Sequence, residues 1–410
     1  MTGRPGRRRR ILFVQRSGGG GSLINVLLLV KHLDHDRFQP IVLFYDPNPY
    51  EDEFRAAGAE VIVLDRTLSF RPASKPVSDG SQTGGRNHRG LRVARRLKGF
   101  VQRDCARARR IADVIQDVGA DLVQSSICPS ADRASILAAG MTGVRQVSYS
   151  QFFTANEWWL DRPLSMLADR YLCISESVRQ QVLGAAGVRE DKTLLVYAPF
   201  EFPTACTTAA AAAVRESLGA NGQHRLIANV GRIVPWKGQD VFLRAFASIA
   251  SLYPDARAVV VGSAGNNRTG QAYEAELHRL VGELQLGERV VFTGHRDDVK
   301  DIMSAAEVVV HSSSEAEPLG RVVMEAIALE KPVIATGAGG VPEMVRDGDT
   351  GLLVPPGDAG SMARALGSVL SNAGLAAEMA SRARQEAEHR FSARTFVRIM
   401  ESEYRRLLGI

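Results

Sequence analysis

Hydrophobic positions along the chain fall into two patterns, short uninterrupted apolar runs and longer stretches in which apolar residues recur every three or four positions. Short runs bounded by turn-forming residues are typical of buried strands, and the longer stretches are typical of amphipathic helices. The predicted strands are 11–15, 40–44, 61–64, 122–124, 146–150, 171–174, 194–197, 226–230, 258–261, 290–293, 308–311, 332–335 and 351–354. The predicted helices are 23–33, 90–116, 133–139, 239–251, 272–284, 319–329, 361–370, 375–389 and 393–408. This alternation predicts an α/β fold in which helices cover both faces of parallel sheets.

The alternation is interrupted over residues 200–224, where proline and an alanine-rich run replace it. A chain of 410 residues also exceeds what one hydrophobic core usually holds. We therefore predict a first Rossmann-like domain over residues 1–200 and a second over 201–385. The final segment, 386–410, is expected to carry a helix that crosses back to the first domain.

The net charge of +6 is unevenly placed, with basic residues concentrated between 66 and 110. Residues 69–87 are rich in Ser, Gly and Pro and predict a loop, which leads into the basic helix predicted at 90–116. Such a helix suits peripheral contact with an anionic membrane through residues 86–110, and a solvated arginine-rich helix is the alternative. Because the segment has no interleaved aromatic pattern and no recognition motif, we expect no nucleic-acid partner.

Cellular location and cysteine usage add two further expectations. Arg7–Arg10 precede an apolar stretch that is too short for a signal peptide, and no apolar run reaches the length that spans a bilayer. We therefore expect a cytoplasmic protein, and peripheral contact with the inner face of the membrane stays open at this point. The cysteines have no paired spacing, which argues against a zinc site and a disulfide framework. They are Cys105, Cys128, Cys173 and Cys206.

A glycine-rich loop follows the first predicted strand and opens the first predicted helix. Residues 16–22 read Arg-Ser-Gly-Gly-Gly-Gly-Ser. Consecutive glycines allow a ligand to approach the backbone and leave amides for phosphate or sugar oxygens. The loop does not fit a dinucleotide fingerprint, and a flexible turn is the alternative.

Two carboxylates flank a turn after the predicted strand 308–311. Glu317 lies in the loop, and Glu325 lies in the second turn of the helix predicted at 319–329. Eight residues of helix would rise about 12 Å, so the two acids suit opposite ends of an elongated ligand. The amides of the turn between them form an anion site at a helix N-terminus. Two solvated acids on an ordinary strand-loop-helix unit are the alternative.

A loop with two cations follows the first strand of the second half. Residues 231–238 read Gly-Arg-Ile-Val-Pro-Trp-Lys-Gly and precede the helix predicted at 239–251. Arg232 and Lys237 would add charge-assisted hydrogen bonds at a helix N-terminus. A diphosphate is the matching ligand, and plain solvation of the two cations is the alternative.

These loops belong to a longer series of motifs in the second half of the chain. The series is Gly231-Arg232, Lys237-Gly238, Thr293-Gly294, Glu317-Pro-Leu-Gly320 followed by Glu325, and Gly339-Gly-Val-Pro-Glu343. In order and spacing it resembles the retaining glycosyltransferases of family four, specifically over 226–358 and more loosely over 11–197. The resemblance implies the GT-B fold, in which two Rossmann-like doubly wound domains face each other across a cleft. It also implies a nucleotide-sugar donor on the second domain and an acceptor on the first.

The resemblance further implies roles for individual residues. Arg232 and Lys237 would bind the donor diphosphate. Glu317 would contact the transferred sugar, and Glu325 the ribose hydroxyls; the implied catalytic residues are Arg232, Lys237 and Glu317. The remaining donor-binding residues, through their main chain or turn, are Gly231, Arg296, Leu319 and Gly320. The implied acceptor-binding residues are Gly19, Gly20 and Gln151.

The implied function is a metal-independent hexosyltransferase of polysaccharide or glycoconjugate biosynthesis. It would use a UDP, GDP or ADP sugar, need no cofactor, and transfer to a glycan, lipid-linked or small-molecule acceptor with retention. A nucleotide-sugar isomerase on the same fold is one alternative. A non-catalytic scaffold that binds sugar nucleotides or membrane is the other.

The acceptor side departs from the family pattern at three points. Gln151 and Ser126 occupy positions where many relatives carry histidine, and residues 197–201 replace a common Asn-Gly-Val-Asp. An amide can hydrogen-bond a sugar hydroxyl but does not titrate near neutral pH. Four aromatic residues nearby predict either an acceptor pocket or a buried cluster; they are Phe152, Phe153, Trp158 and Trp159.

Overall fold

The computed structural model describes residues 7–16, 20–64, 98–153, 161–202, 208–220 and 223–410. Several predictions of the sequence analysis lie outside these residues. They concern the loop 69–87, the start of the basic helix at 90–97, Gly19, Trp158, Trp159 and Cys206.

The chain forms two compact units, Met1–Ala198 with Phe396–Ile410, and Pro199–Thr395. The sequence pattern predicts the second boundary at 385, ten residues earlier. Backbone pairing explains the difference, because the Phe200 N–H donates to the Phe391 carbonyl at 2.8 Å and the Ala393 N–H donates to the Phe200 carbonyl at 3.2 Å. These bonds hold the chain near residue 391 within the second unit.

The first unit contains a parallel sheet of seven strands in the order β3-β2-β1-β4-β5-β6-β7. The strands are β1 Arg9–Gln15, β2 Phe38–Phe44, β3 Glu60–Val63, β4 Leu122–Ser125, β5 Arg145–Ser150, β6 Arg170–Cys173 and β7 Thr193–Leu195. The helices of its first segment are α1 Gly21–His32, α2 Glu51–Ala56, α3 Ala106–Val118, α4 Arg133–Thr142, α5 Asp161–Ser165 and α6 Glu176–Gly184. A π-helical segment, Phe100–Cys105, leads directly into α3.

Strand β1 sends alternate side chains to two separate cores, as the period of a strand requires. Ile11 and Phe13 pack with α1 residues and with Phe396, Met400 and Tyr404 of the last helix. On the other face, Leu12 and Val14 pack with apolar residues of α3 and α4. Helices therefore cover both faces, which confirms the predicted α/β class.

The second unit contains a parallel sheet of six strands in the order β10-β9-β8-β11-β12-β13. The strands are β8 Arg225–Val230, β9 Ala256–Val261, β10 Val290–Gly294, β11 Val308–His311, β12 Val333–Thr336 and β13 Leu352–Val354. The remaining helices are α7 Thr208–Ser217, α8 Gln239–Ala250, α9 Arg268–Glu283, α10 Val299–Ala305, α11 Arg321–Ala328, α12 Ala359–Ser371, α13 Ala373–Phe391 and α14 Ala393–Leu408. The last of these helices begins in the second unit and continues into the first.

In both sheets the strand order reverses direction at a central strand, β1 in the first unit and β8 in the second. Ligands of open parallel sheets bind beyond the carboxyl ends of the strands at such a point. In the second unit this position is the one where the loops after β8 and β11 meet. Among the described residues, no helix combines the length and the apolar character needed to cross a membrane.

Candidate functional site

The loops that follow β8 and β11 are joined by hydrogen bonds at the carboxyl edge of the second sheet. Asn229 at the end of β8 donates to the Val310 carbonyl at 2.9 Å. Farther along, the Ser314 N–H donates to the Trp236 carbonyl at 2.8 Å, and the Ser312 hydroxyl donates to the Lys237 carbonyl at 2.8 Å. The basic loop and the acidic loop singled out in the sequence therefore form one structure.

Gly238 permits this close approach. Its φ of 64° lies in the left-handed region, which favours glycine. A Cβ at this position would lie 2.1 Å from the Ser312 carbonyl oxygen. Any other residue would separate the two loops, so the glycine places Lys237 beside the β11 loop.

Glu317 is the centre of a buried charge network. Its Oε1 accepts from Lys237 Nζ at 2.6 Å, lies 2.7 Å from His311 Nε2, and also accepts from the Ser313 hydroxyl. Only 8% of Glu317 is exposed. Burial by itself would raise the pKa of Glu317, but the hydrogen bond and charge of His311 and the charge of Lys237 hold it well below the usual range. Glu317 is therefore a fixed negative charge.

His311 links Glu317 to the neighbouring strand β12. Its Nδ1 lies 3.2 Å from the Thr336 hydroxyl, so both ring nitrogens of His311 have polar neighbours. The sequence pattern predicts His311 only as the end of a strand. A polar pair at the ends of two adjacent buried strands was the available signal.

The main chain of Glu317 is held by the glycine-rich loop after β12. The Gly340 N–H donates to the Glu317 carbonyl at 2.9 Å. Gly339 has a left-handed φ of 68°, and a Cβ there would lie 2.0 Å from the same carbonyl oxygen. The Gly-Gly-Val-Pro-Glu motif therefore fixes the main chain of Glu317, and with it the position of the Glu317 carboxylate.

The helix after this loop, α11, begins immediately behind Gly320, whose φ is 87°. The first N–H groups of a helix have no intrahelical acceptor and attract anions. Leu319, just before the turn, is 5% exposed. Glu325 lies on α11, accepts from Arg321 Nε at 2.9 Å and keeps 24% of its side chain exposed. The two acids thus differ, since Glu317 is buried in a charge network and Glu325 is reachable from solvent.

The two cations of the β8 loop also differ. Lys237 is 14% exposed, pairs with Glu317 and lies 4.6 Å from the centre of the Trp236 ring. Arg232 follows Gly231 at the end of β8 and is exposed; within the described part of the chain no ion pair of its guanidinium is found. Its carbonyl accepts from Gln239 at 3.0 Å. Lys237 is held in place before any ligand binds, whereas Arg232 is available to one.

Arg296 lies in the loop after β10. Its Nε donates to Asp298 at 2.7 Å, and the hydrogen bond with Arg296 lowers the pKa of Asp298. The Arg296 side chain is therefore already bound to Asp298. The resemblance assigns only the main chain of Arg296 to the nucleotide base of the donor.

Gln151 of the first unit lies in a neutral network. It is 3% exposed, accepts from Asn25 at 2.6 Å, and donates to the carbonyls of Ser126 at 2.9 Å and Ser22 at 3.2 Å. Gly20 precedes α1, the helix that carries Asn25. Gln151 therefore ties the start of α1 to the loop after β4, and acceptor binding by Gly20 and Gln151 stays a prediction.

Among the described residues, no group of three or more His, Cys, Asp or Glu side chains could hold a metal ion. The described cysteines, Cys105, Cys128 and Cys173, are free thiols. Phe152 is 46% exposed, so this member of the predicted aromatic group is not buried. Membrane contact through 86–110 stays a prediction, because part of that segment lies outside the described residues.

Comparison with known sequences finds similarity over part of the chain. Residues 211–386 match the family model of the glycosyl transferases group 1. A D-inositol 3-phosphate glycosyltransferase of Mycobacterium sp. (strain KMS) is 35% identical over 206 residues, which are 50% of this chain and 45% of that protein. The corresponding protein of Mycolicibacterium gilvum (strain PYR-GCK) is 36% identical over 206 residues, with the same coverage of 50% and 45%. The matches thus span about half the length of these relatives.

Comparison with solved structures covers the whole chain. HepE of Anabaena in complex with UDP has a TM-score of 0.79 at 22% identity, with 97% of this chain and 99% of HepE covered. A glycosyltransferase of Rickettsia africae ESF-5 has a TM-score of 0.81 at 19% identity, with 98% and 99% covered. The chain therefore has the GT-B fold, and residues 211–386 within it match the glycosyl transferases of group 1.

Proposed function

We propose that the chain is a retaining glycosyltransferase that moves a hexose from a nucleotide-diphosphate sugar to an acceptor. One observation carries the proposal, the buried contact of Lys237 and His311 with Glu317 at the carboxyl edge of the second sheet. This cluster lies inside the segment that matches the group 1 glycosyl transferases. It combines a fixed anion and a fixed cation beside a helix N-terminus, as transfer from a diphosphate requires.

The donor diphosphate would bind between the β8 loop and the start of α11. Lys237 and the exposed Arg232 would supply positive charge, and the amides after Gly320 would supply hydrogen-bond donors. Charge that is fixed in advance stabilises the leaving diphosphate as it develops and needs no rearrangement during reaction. This arrangement supports a metal-independent reaction.

Glu317 and Glu325 would bind different parts of the donor. All three neighbours of the Glu317 carboxylate contact Oε1, and within the described residues Oε2 has no hydrogen-bond donor. Oε2 could therefore accept from a hydroxyl of the transferred sugar. Glu325, which is partly exposed on α11, would accept from the ribose.

Retention would follow from attack on the face that the diphosphate leaves. In that step the acceptor oxygen bonds to the anomeric carbon as the bond from this carbon to phosphate oxygen breaks. The departing phosphate oxygen takes the acceptor proton. Lys237 and Arg232 would stabilise both the charge on this oxygen and the proton transfer to it.

UDP sugars are the first donors to test, because HepE has been crystallised with UDP-glucose, with GDP and ADP sugars as the alternatives. The acceptor would be a glycan, a lipid-linked sugar or a small molecule, held by the first unit. The mycobacterial relatives carry a name that indicates an inositol phosphate acceptor, which favours a small polyol. We retain cytoplasmic localisation as a prediction.

Donor titration with a matched pair of variants tests this proposal. Heat release and thermal unfolding would be measured with UDP, GDP and ADP and their glucose conjugates, since a ligand of the folded state raises its stability by mass action. Glu325→Ala should weaken binding of the preferred nucleotide and lower turnover about a hundredfold. Glu330→Ala, an exposed carboxylate just after α11, should change neither.

Three outcomes would contradict the proposal. Equal donor binding by Glu325→Ala and the wild type would show that Glu325 on α11 is not part of the donor site. Conversion of the donor to an isomeric nucleotide sugar without an acceptor would identify an isomerase. Tight donor binding with neither transfer nor slow hydrolysis would identify a non-catalytic scaffold.

A further inference from the structure

Arg232 is the exposed cation of the β8 loop, and the main chain on both sides of it is held by β9. The Gly231 N–H donates to the Val261 carbonyl at 2.9 Å, and the Ile233 N–H donates to the Ser263 carbonyl at 3.1 Å. Val261 is the last residue of β9, and Ser263 follows it by two positions. The backbone before and after Arg232 is therefore fixed against the neighbouring strand.

Two glycines allow this close packing. A Cβ at Gly262, directly after β9, would lie 2.0 Å from the Gly231 carbonyl oxygen. A Cβ at Gly270 in α9 would lie 2.7 Å from the Ile233 carbonyl oxygen. A side chain at either glycine would therefore push the β8 loop away, and the two glycines keep the loop in contact with the β9 side of the sheet.

The hydrogen bond at Arg232 itself comes from a side chain. Gln239, the first residue of α8, is 1% exposed, and its Nε2 donates to the Arg232 carbonyl at 3.0 Å. The residue before it, Gly238, packs closely against the Ser312 carbonyl oxygen of the β11 loop. Gln239 therefore connects the main chain of the exposed arginine with the part of the loop that holds Lys237.

The other polar atom of the Gln239 amide has no such bond. Its Oε1 is buried and has no hydrogen-bond partner among the described residues. A buried acceptor without a donor costs free energy, and an apolar side chain of similar length would avoid that cost. Stability alone therefore does not explain a glutamine at this position, which points to a separate role for the bond between Nε2 and Arg232.

We propose that Gln239 is a positioning residue, which holds the main chain of Arg232 so that the guanidinium meets the donor diphosphate. The inference rests on the proposed glycosyltransferase function and adds a supporting residue to its donor site. Paired hydrogen bonds from a guanidinium to phosphate oxygens require a fixed orientation of both groups. Because an exposed arginine side chain has many rotamers, the position of its main chain limits where its charge can lie.

Gln239→Met tests this role, because methionine is unbranched, has nearly the length of glutamine and lacks the amide. UDP, GDP and ADP are the probes, and each is titrated into the full chain by calorimetry. For the diphosphates that the wild type binds, Arg232→Gln should weaken binding at least about tenfold. Gln239→Met should weaken the same binding about threefold or more.

A double variant separates a positioning role from a purely structural one. If Gln239 acts through Arg232, the combination of Gln239→Met with Arg232→Gln should bind the diphosphate no more weakly than Arg232→Gln alone. The Tm of Gln239→Met should stay within about 3 °C of the wild type, because the lost hydrogen bond is offset by removal of the unpartnered Oε1. Gln239→Leu, of similar volume, replaces Gln239→Met if that variant does not fold.

Gln271→Met is the matched control. Gln271 also donates from Nε2 to a loop carbonyl, that of Gly265 at 2.9 Å, but this carbonyl lies outside the β8 loop. The control should bind the diphosphate as the wild type does.

Three results would overturn the proposal. Additive losses of affinity in the double variant would show that Gln239 and Arg232 act independently. A lower Tm of Gln239→Met with unchanged affinity would show a purely structural role. If the wild type itself binds none of the three diphosphates, the proposed donor site fails together with this inference, whereas wild-type binding with an additive double variant removes only the positioning role.

Discussion

The two sheets have the same kind of strand order, but the charged groups at their carboxyl edges differ. At β8 and β11, the carboxylate of Glu317 is buried against Lys237 and His311, so charges of both signs are fixed within hydrogen-bond distance. At β1 and β4, Gln151 is buried among the amide of Asn25 and the carbonyls of Ser126 and Ser22, and arginines outnumber carboxylates in the lining of a nearby cavity. Function therefore follows from the loops that each sheet carries and not from the fold itself.

The difference predicts separate tasks for the two units. A paired, buried ammonium and carboxylate can control charge that develops on a leaving group, because the surroundings exclude water. The amide and carbonyl groups around Gln151 carry no net charge and fix the position of loops. The comparison predicts that substitutions at Lys237 act on the reaction, whereas substitutions at Gln151 act on stability.

Lys237→Ala is the change with the largest expected effect. It removes the cation proposed to meet the leaving diphosphate, and we expect turnover to fall by about a hundredfold or more. Steady-state kinetics and donor hydrolysis would measure the loss. Lys300→Ala, an exposed lysine of the same unit, is the control and should retain full activity; unchanged kinetics of Lys237→Ala would remove the distinction between the two edges.

Glu317→Gln separates charge from shape in the same network. Because the pKa of Glu317 in the folded chain is below its ordinary value, the stabilisation from its charge is fully present above about pH 4.3. It is lost as the pH falls through the folded pKa. At pH 7 the variant leaves Lys237 without its buried partner, so we expect the free energy of unfolding to fall by about 3 kcal/mol.

Urea unfolding at pH 7 and pH 3 would measure this loss. The difference between wild type and Glu317→Gln should shrink at pH 3, and Glu330→Gln should show no difference at either pH. Equal stability of Glu317→Gln and wild type at pH 7 would mean that the ion pair contributes nothing to the fold.

Local sequence patterns could predict the sheets and the donor loops. Around Gly238, and again around Glu317, the signals for a strand, a turn and a helix lie within a few residues. They could not predict contacts between distant segments. Thr208–Ser217 is a helix, although its alanine-rich run beside proline resembled a linker. The pairing of Phe200 with Phe391 and the cavity shared by Arg16 and Arg133 depend on the completed topology, so no local signal contained them.

Gln151→Ala has the smallest expected effect and tests the neutral edge. Removal of the amide takes away one hydrogen bond of Asn25 and one of the Ser126 carbonyl, which should lower the free energy of unfolding by about 1 to 3 kcal/mol. Donor affinity should not change, and urea unfolding with UDP titration would measure both. Gln180→Ala, an exposed glutamine on α6, should be as stable as wild type. If Gln151→Ala instead keeps its stability and raises only the KM for the acceptor, then Gln151 contacts the substrate. The hydrogen bonds around Gln151 would then do more than position the loops of the first sheet.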